Sequence, residues 1–155
     1  MLHSVDPIGS VQPLTLERYV PRASTPLYDA MGRGILDLEA QLAAIPESER
    51  PTKVIFVVVT DGQENASQEF DRARVTALIE AKKAIGWDFV FLSADLGAFQ
   101  DAQSLGVDAV SSLLFSKSKA GNDRAWTAAS MRISHCRMGV AEKVVFDDDD
   151  RKAAE

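Results

Sequence analysis

An uncharged apolar run constrains the fold more than any other feature of the sequence. Residues Val54 to Val59 (VIFVVV) are almost all β-branched, a composition that favours a strand. The run is too uniformly apolar for a half-exposed strand, so it predicts a central parallel strand covered on both faces. Thr60, Asp61 and Gly62 follow directly, so a carboxylate is expected at the carboxyl end of a buried strand.

Helical and extended patterns alternate around this strand. Apolar residues recur every three or four positions from Leu27 to Ile45, which predicts a helix beginning near Thr25, capped by Ser24 or Thr25, with Pro26 at the first helical position. The same patterns predict the remaining elements: helices over 70–85, 98–105 and 123–136, and strands over 87–92 and 107–110. This alternation predicts an α/β fold of the Rossmann-like three-layer α/β/α type, with a mainly parallel sheet.

Size and charge limit the classes of function. A chain of 155 residues suits one domain, and we expect an α/β domain over 25–140, a loop or edge segment over 1–24 and a frayed acidic C-terminal tail over 141–155. A net charge of −6 argues against nucleic-acid binding, which needs a basic face. No signal peptide or membrane-spanning run is recognised, so we expect a cytoplasmic protein without a membrane partner.

In the last predicted helix, one side is formed by Trp126, Ala129, Ile133 and either Cys136 or Arg137, and Cys136 is expected to belong to the core. Several polar residues near the predicted strand ends are interpreted as turn or cap residues: Asp29, Glu64, Asn65, Ser93 and Asp95. Asp61 is treated differently, because parallel sheets bind ligands beyond the carboxyl ends of their strands.

Three stretches, in order, resemble one known family: STPLYDAMG, VIFVVVTDGQENAS and WDFVFLSADLGAFQDAQSLGV. Together they are similar to the von Willebrand factor A domain, in a bacterial and phage-type branch, over roughly Pro13 to Val110. The resemblance implies a divalent cation, usually magnesium, at a metal-ion-dependent adhesion site that an acidic residue of a protein partner often completes. Thr25 matches the family's loop threonine and Asp61 matches its second aspartate.

The chain departs from this family at its start. The Asp-x-Ser-x-Ser motif supplies most of the family's protein ligands, and it should lie well upstream of Thr25. The segment from Asp6 to Ser10 has Ile8 where the first serine belongs. The chain thus resembles a von Willebrand A domain without its N-terminal third. We expect it to bind magnesium weakly or not at all by itself, with the missing ligands lost or carried by another chain.

These observations favour a non-enzymatic binding module that contacts a protein partner near Thr25 and Asp61. One alternative is a magnesium-dependent hydrolase or phosphotransferase that uses Asp61, although no phosphate-binding glycine motif is present. Another is a structural oligomeric remnant. The family's sheet would place the missing strand beside Val54–Val59, so the sequence also predicts a homodimer that buries the exposed strand edge.

Overall fold

The computed structural model describes residues 8–13, 15, 17 and 24–155. Its centre is a three-stranded parallel sheet in the order β1-β2-β3, formed by β1 (Val54–Thr60), β2 (Trp87–Ser93) and β3 (Ser112–Leu114). The α-helices are α1 (Leu27–Ala43), α2 (Arg72–Lys83), α3 (Leu96–Ser104), α4 (Lys119–Arg137) and α5 (Asp148–Ala154). This arrangement confirms the predicted α/β, Rossmann-like fold.

The helices pack against both faces of the sheet. On one face α1, α2 and α3 pack against the aromatic side of β2, where Phe89 and Phe91 are buried. On the other face α4 and α5 pack against Val90, Leu92 and Leu113. None of the helices in the described ranges combines the length and the apolar character that crossing a bilayer requires.

The start of α1 differs from its prediction. Pro26 occupies the N-cap position, and no side chain from the residues just before α1 caps the helix. The predicted cap by Ser24 or Thr25 is therefore wrong. Glu64, from the loop after β1, instead accepts a hydrogen bond from the Tyr28 N–H at 2.9 Å. The helix N-terminus is therefore held by a distant loop rather than by its own flanking residues.

The third strand lies later than the sequence pattern indicates. Residues 107–110 do not form it, because Val107 packs into the core and Asp108 is held by the Lys83 ammonium at 3.0 Å. The chain then makes a 3₁₀ turn over Ala109–Ser111 before β3 begins. The predicted strand over 107–110 is wrong, since these tertiary contacts override a weak local preference.

The prediction of a frayed acidic tail is wrong as well. Asp147 caps α5 in a capping box, and the buried Asp150 accepts a hydrogen bond from Arg132 Nε at 2.7 Å. Val144 and Phe146, which precede the acidic run, are fully buried in the core beneath α4. These apolar anchors and the arginine on another helix dock the segment.

The sheet face beneath α4 is only partly covered. Small residues of α4 (Ala125, Ala128 and Ala129) are buried against the sheet, whereas Trp126, which the sequence pattern groups with Ala129 on one side of the helix, is 47% exposed. Val57 and Val59 of β1 are also exposed, at 36% and 47%. The prediction that β1 is covered on both faces is therefore wrong for the described residues.

Candidate functional site at the carboxyl edge of the sheet

The loop after β1 is joined to the chain that leads into α1. The Thr25 N–H donates to Asn65 Oδ1 at 2.8 Å, and the Asn65 N–H donates to the Thr25 carbonyl at 3.1 Å. The Thr25 hydroxyl lies so close to Gly62 that a Cβ on Gly62 would be 3.1 Å from it. The structure thus places Thr25 beside the residue that follows Asp61.

Glu64 fixes this junction. One carboxylate oxygen accepts from the Tyr28 N–H at 2.9 Å and the Ser67 hydroxyl at 2.7 Å. The other accepts from the N–H groups of Ala66 and Ser67, at 2.8 and 2.7 Å. Burial alone would raise the pKa of Glu64, but the hydrogen bonds from these donors outweigh it and lower the pKa. Its cap role, predicted from the sequence, is confirmed.

Asp29 makes a second junction one turn into α1. Its carboxylate accepts hydrogen bonds from the backbone N–H groups of Gln68, Glu69 and Phe70, at 3.0, 2.9 and 2.8 Å. The bond from Gln68, assisted by the other two, lowers the pKa of Asp29 below its usual value. This arrangement confirms the predicted structural role of Asp29.

Asp61 itself is exposed at the carboxyl end of β1. Its carboxylate has no hydrogen-bond or ion-pair partner among the side chains and backbone groups that the structure describes, unlike Asp29 and Glu64 nearby. It lines an open groove of about 680 Å³. The remaining lining residues come from the ends of all three strands and the start of α4: Val59, Thr60, Ala94, Phe115, Lys117, Ser118, Lys119 and Asn122.

The groove brings two lysines near Asp61 that sequence reasoning did not single out. Lys119 forms an ion pair with Asp123 at 2.6 Å, whereas Lys117 has no ion-pair partner within the described ranges. Both flank the N-terminus of α4, which follows β3. A correct placement of β3 would have shown that these residues leave the sheet at the same edge as Asp61.

Ser93 and Asp95, at the end of β2, form hydrogen bonds with each other and with the start of α3. The Ser93 hydroxyl accepts from the Asp95 N–H and donates to the Asp95 carbonyl, both at 3.0 Å. The Asp95 carboxylate caps α3 by accepting from the Ala98 N–H at 2.9 Å. The predicted turn and cap roles of this pair are confirmed.

The donor set of the site suits magnesium in kind. A threonine hydroxyl and an aspartate carboxylate are hard oxygen ligands, which Mg²⁺ prefers, and Mg²⁺ commonly retains several waters. In the part of the chain that the structure describes, no group of three or more His, Cys, Asp or Glu side chains is arranged to hold a metal ion. Asp6, part of the divergent first motif, lies outside the described residues. Among the described residues, Thr25 and Asp61 would therefore supply only part of a magnesium coordination shell.

Comparisons with known proteins do not identify the chain. No family model matches it, and neither the curated proteins nor the solved structures contain a significant match. The resemblance to the von Willebrand factor A domain stays a prediction from the three sequence stretches.

Proposed function

We propose that this chain is a non-enzymatic binding module of the von Willebrand A type that contacts a protein partner at the rim formed by Thr25 and Asp61. The observation that carries the proposal is the state of Asp61. The neighbouring carboxylates of Asp29 and Glu64 accept hydrogen bonds that hold the fold together, whereas Asp61 is exposed at the strand end and has no partner in the described chain. A carboxylate that does nothing for the fold is available for a ligand.

The groove also suits an acidic partner. Lys117 and Lys119 line it together with Asp61, so a carboxylate of the partner would meet favourable charge there. A magnesium ion between that carboxylate and Asp61 would offset their mutual repulsion, and the Thr25 hydroxyl would contribute directly or through water. Because this chain contributes few ligands, we expect its metal affinity to be weak until the partner is present.

Paramagnetic line broadening tests the site at weak affinity. Mn²⁺ prefers oxygen ligands as Mg²⁺ does, so it serves as the probe in a titration followed by backbone amide resonances. We expect the amides of Thr25, Asp61 and Gly62 to broaden first and Asp61→Asn to remove the effect. Acetate, a minimal mimic of an acidic side chain, should strengthen the binding.

Asp37→Asn is the matched control, because Asp37 is exposed on α1 and the substitution changes the charge equally. Thr25→Ser should retain the broadening and Thr25→Val should reduce it. Broadening confined to the acidic residues Asp148 and Asp149, or unaffected by Asp61→Asn, would overturn the proposal. Hydrolysis of p-nitrophenyl phosphate that Asp61→Asn abolishes would favour the enzyme alternative instead.

A further inference from the structure

One edge of the sheet has no partner strand in the described chain. β1 pairs only with β2, in the order β1-β2-β3. The Thr60 carbonyl accepts from the Ala94 N–H at 3.4 Å, so the backbone groups of Thr60 point toward β2. Since alternate residues of a strand direct their N–H and C=O groups to opposite edges, Ile55, Val57 and Val59 direct theirs to the open edge.

The side chains beside this edge are apolar and exposed. Val57 and Val59 lie on the partly covered face of the sheet, next to the groove that Val59 shares with Asn122 of α4. Trp126 lies one helical turn beyond Asn122, so its exposed ring lies on the same side of α4. β1 itself, VIFVVVT, contains no charge, proline or bulge. Proteins normally protect sheet edges with such features, so this edge is built to be covered.

The edge is complementary to itself. Val57 is the midpoint of Val54–Thr60, so a two-fold axis at Val57 overlaps the whole strand with an antiparallel copy. In that register Val57 faces its own copy and Ile55 faces Val59, and every outward N–H meets an outward C=O. A second copy of β1 therefore supplies a hydrogen-bond partner for every outward backbone group of this edge.

The same register brings opposite charges together at both ends. Lys53 of each copy comes opposite Asp61 of the other. Within its own copy the Lys53 ammonium contacts Asp88 at 3.0 Å and donates to the Glu142 carbonyl at 2.7 Å, so in the dimer it would give up at least one of these contacts to reach Asp61. Asp61 has no partner of its own in the described chain, so the pairing satisfies a free carboxylate.

We propose that this edge is the interface between two copies of the chain, joined by antiparallel pairing of β1 about a two-fold axis at Val57. The pairing extends the sheet continuously across both copies and shields Val57, Val59 and Trp126 from water. The interface does not rest on the proposed metal site, because it needs the backbone of β1 and no cation.

Sedimentation equilibrium across micromolar concentrations in EDTA tests the assembly, and a failed metal site would leave this result unchanged. We expect a dimer, and Val57→Lys should raise its dissociation constant at least about tenfold, because two like charges would face each other at the axis. Val145→Lys is the matched control, since Val145 is 40% exposed on a different segment. Circular dichroism should show that both variants are folded.

Disulfide trapping tests the register. Chains carrying Lys53→Cys and chains carrying Asp61→Cys, mixed and oxidised, should form the mixed dimer in excess, because directly opposite residues are about 5.5 Å apart at Cα. Neither variant should form a disulfide-linked dimer when it is oxidised alone. The native Cys136 is buried, so it should not form such links itself. A monomeric wild-type chain would overturn the proposal. Slow hydrogen exchange of the Val57 and Val59 amides in that monomer would show that another segment covers the edge. A dimer that Val57→Lys leaves intact would overturn it equally.

Discussion

Replacing Glu64 should loosen the junction that positions the candidate site. Glu64→Gln keeps the shape of the side chain but puts an amide group where one carboxylate oxygen now accepts from the Tyr28 N–H. The other oxygen position can still accept from the N–H groups of Ala66 and Ser67. The substitution therefore removes the cap of α1 and the negative charge near its N-terminus, and leaves the loop turn largely intact.

The expected loss follows from these contacts. A hydrogen bond to a charged group contributes roughly 1.5–3 kcal/mol, and the loss of a helix cap costs about 1 kcal/mol. We therefore expect Glu64→Gln to lower the free energy of unfolding by about 1–2 kcal/mol. Glu64→Ala, which removes every acceptor, should lower it by about 2–4 kcal/mol. Glu49→Gln, on an exposed turn, should change it by less than about 0.5 kcal/mol.

Urea unfolding followed by tryptophan fluorescence at several pH values provides the assay. The pKa of Glu64 is lowered from an ordinary value of 4.5, so its stabilising effect is complete above that pH and is lost as the pH falls through the lowered pKa. The difference between wild type and Glu64→Gln should accordingly be full at neutral pH and shrink in strong acid. An equal difference at both ends of the range would refute the role of the ionised carboxylate.

Three further outcomes are expected. Gly32→Ala should destabilise by about 1–3 kcal/mol despite its better helix propensity, because a Cβ would overlap the Phe70 ring; urea unfolding measures this. Phe146→Ala should lower the free energy of unfolding by about 3–5 kcal/mol, whereas Val140→Ala, on an exposed loop, should have little effect. Burial raises the pKa of the Cys136 thiol, so it should react with a disulfide reagent much faster in urea than in the native chain.

The long elements could be predicted because their patterns are strong and local. α1, β1 and β2 were placed within a few residues of their observed bounds by periodicity and by apolar runs. The short β3 was not, because Asp108 is tethered to Lys83, a contact between distant residues that no local pattern indicates. The order of the aspartate run near the C-terminus is equally hidden from local patterns, since the arginine that binds it, Arg132, lies on another helix.

The packing of α4 shows a different limit. Periodicity groups Trp126 with Ala129 on one side of the helix, but it does not decide which residues of that side approach the sheet. Three small alanines of α4 are buried against the sheet, whereas the larger Trp126 is exposed at the margin. In the site, Asp61 was predictable from its place after a strand, whereas Lys117 joins the groove only through tertiary structure.

Both proposals use the Asp61 carboxylate, and together they predict that metal binding and dimerisation oppose each other. The metal site needs the Asp61 carboxylate for a cation, and the dimer places the Lys53 ammonium of the second copy against the same carboxylate. Two positive charges that share one carboxylate repel each other, so each should weaken the binding of the other. Linkage makes the effect reciprocal: because the dimer contains two such sites, saturating magnesium should raise the dissociation constant of the dimer by the square of the factor by which dimerisation lowers the magnesium affinity of each site. A chain with both properties would therefore switch, at Asp61, between pairing with its own copy and binding a partner through a metal ion.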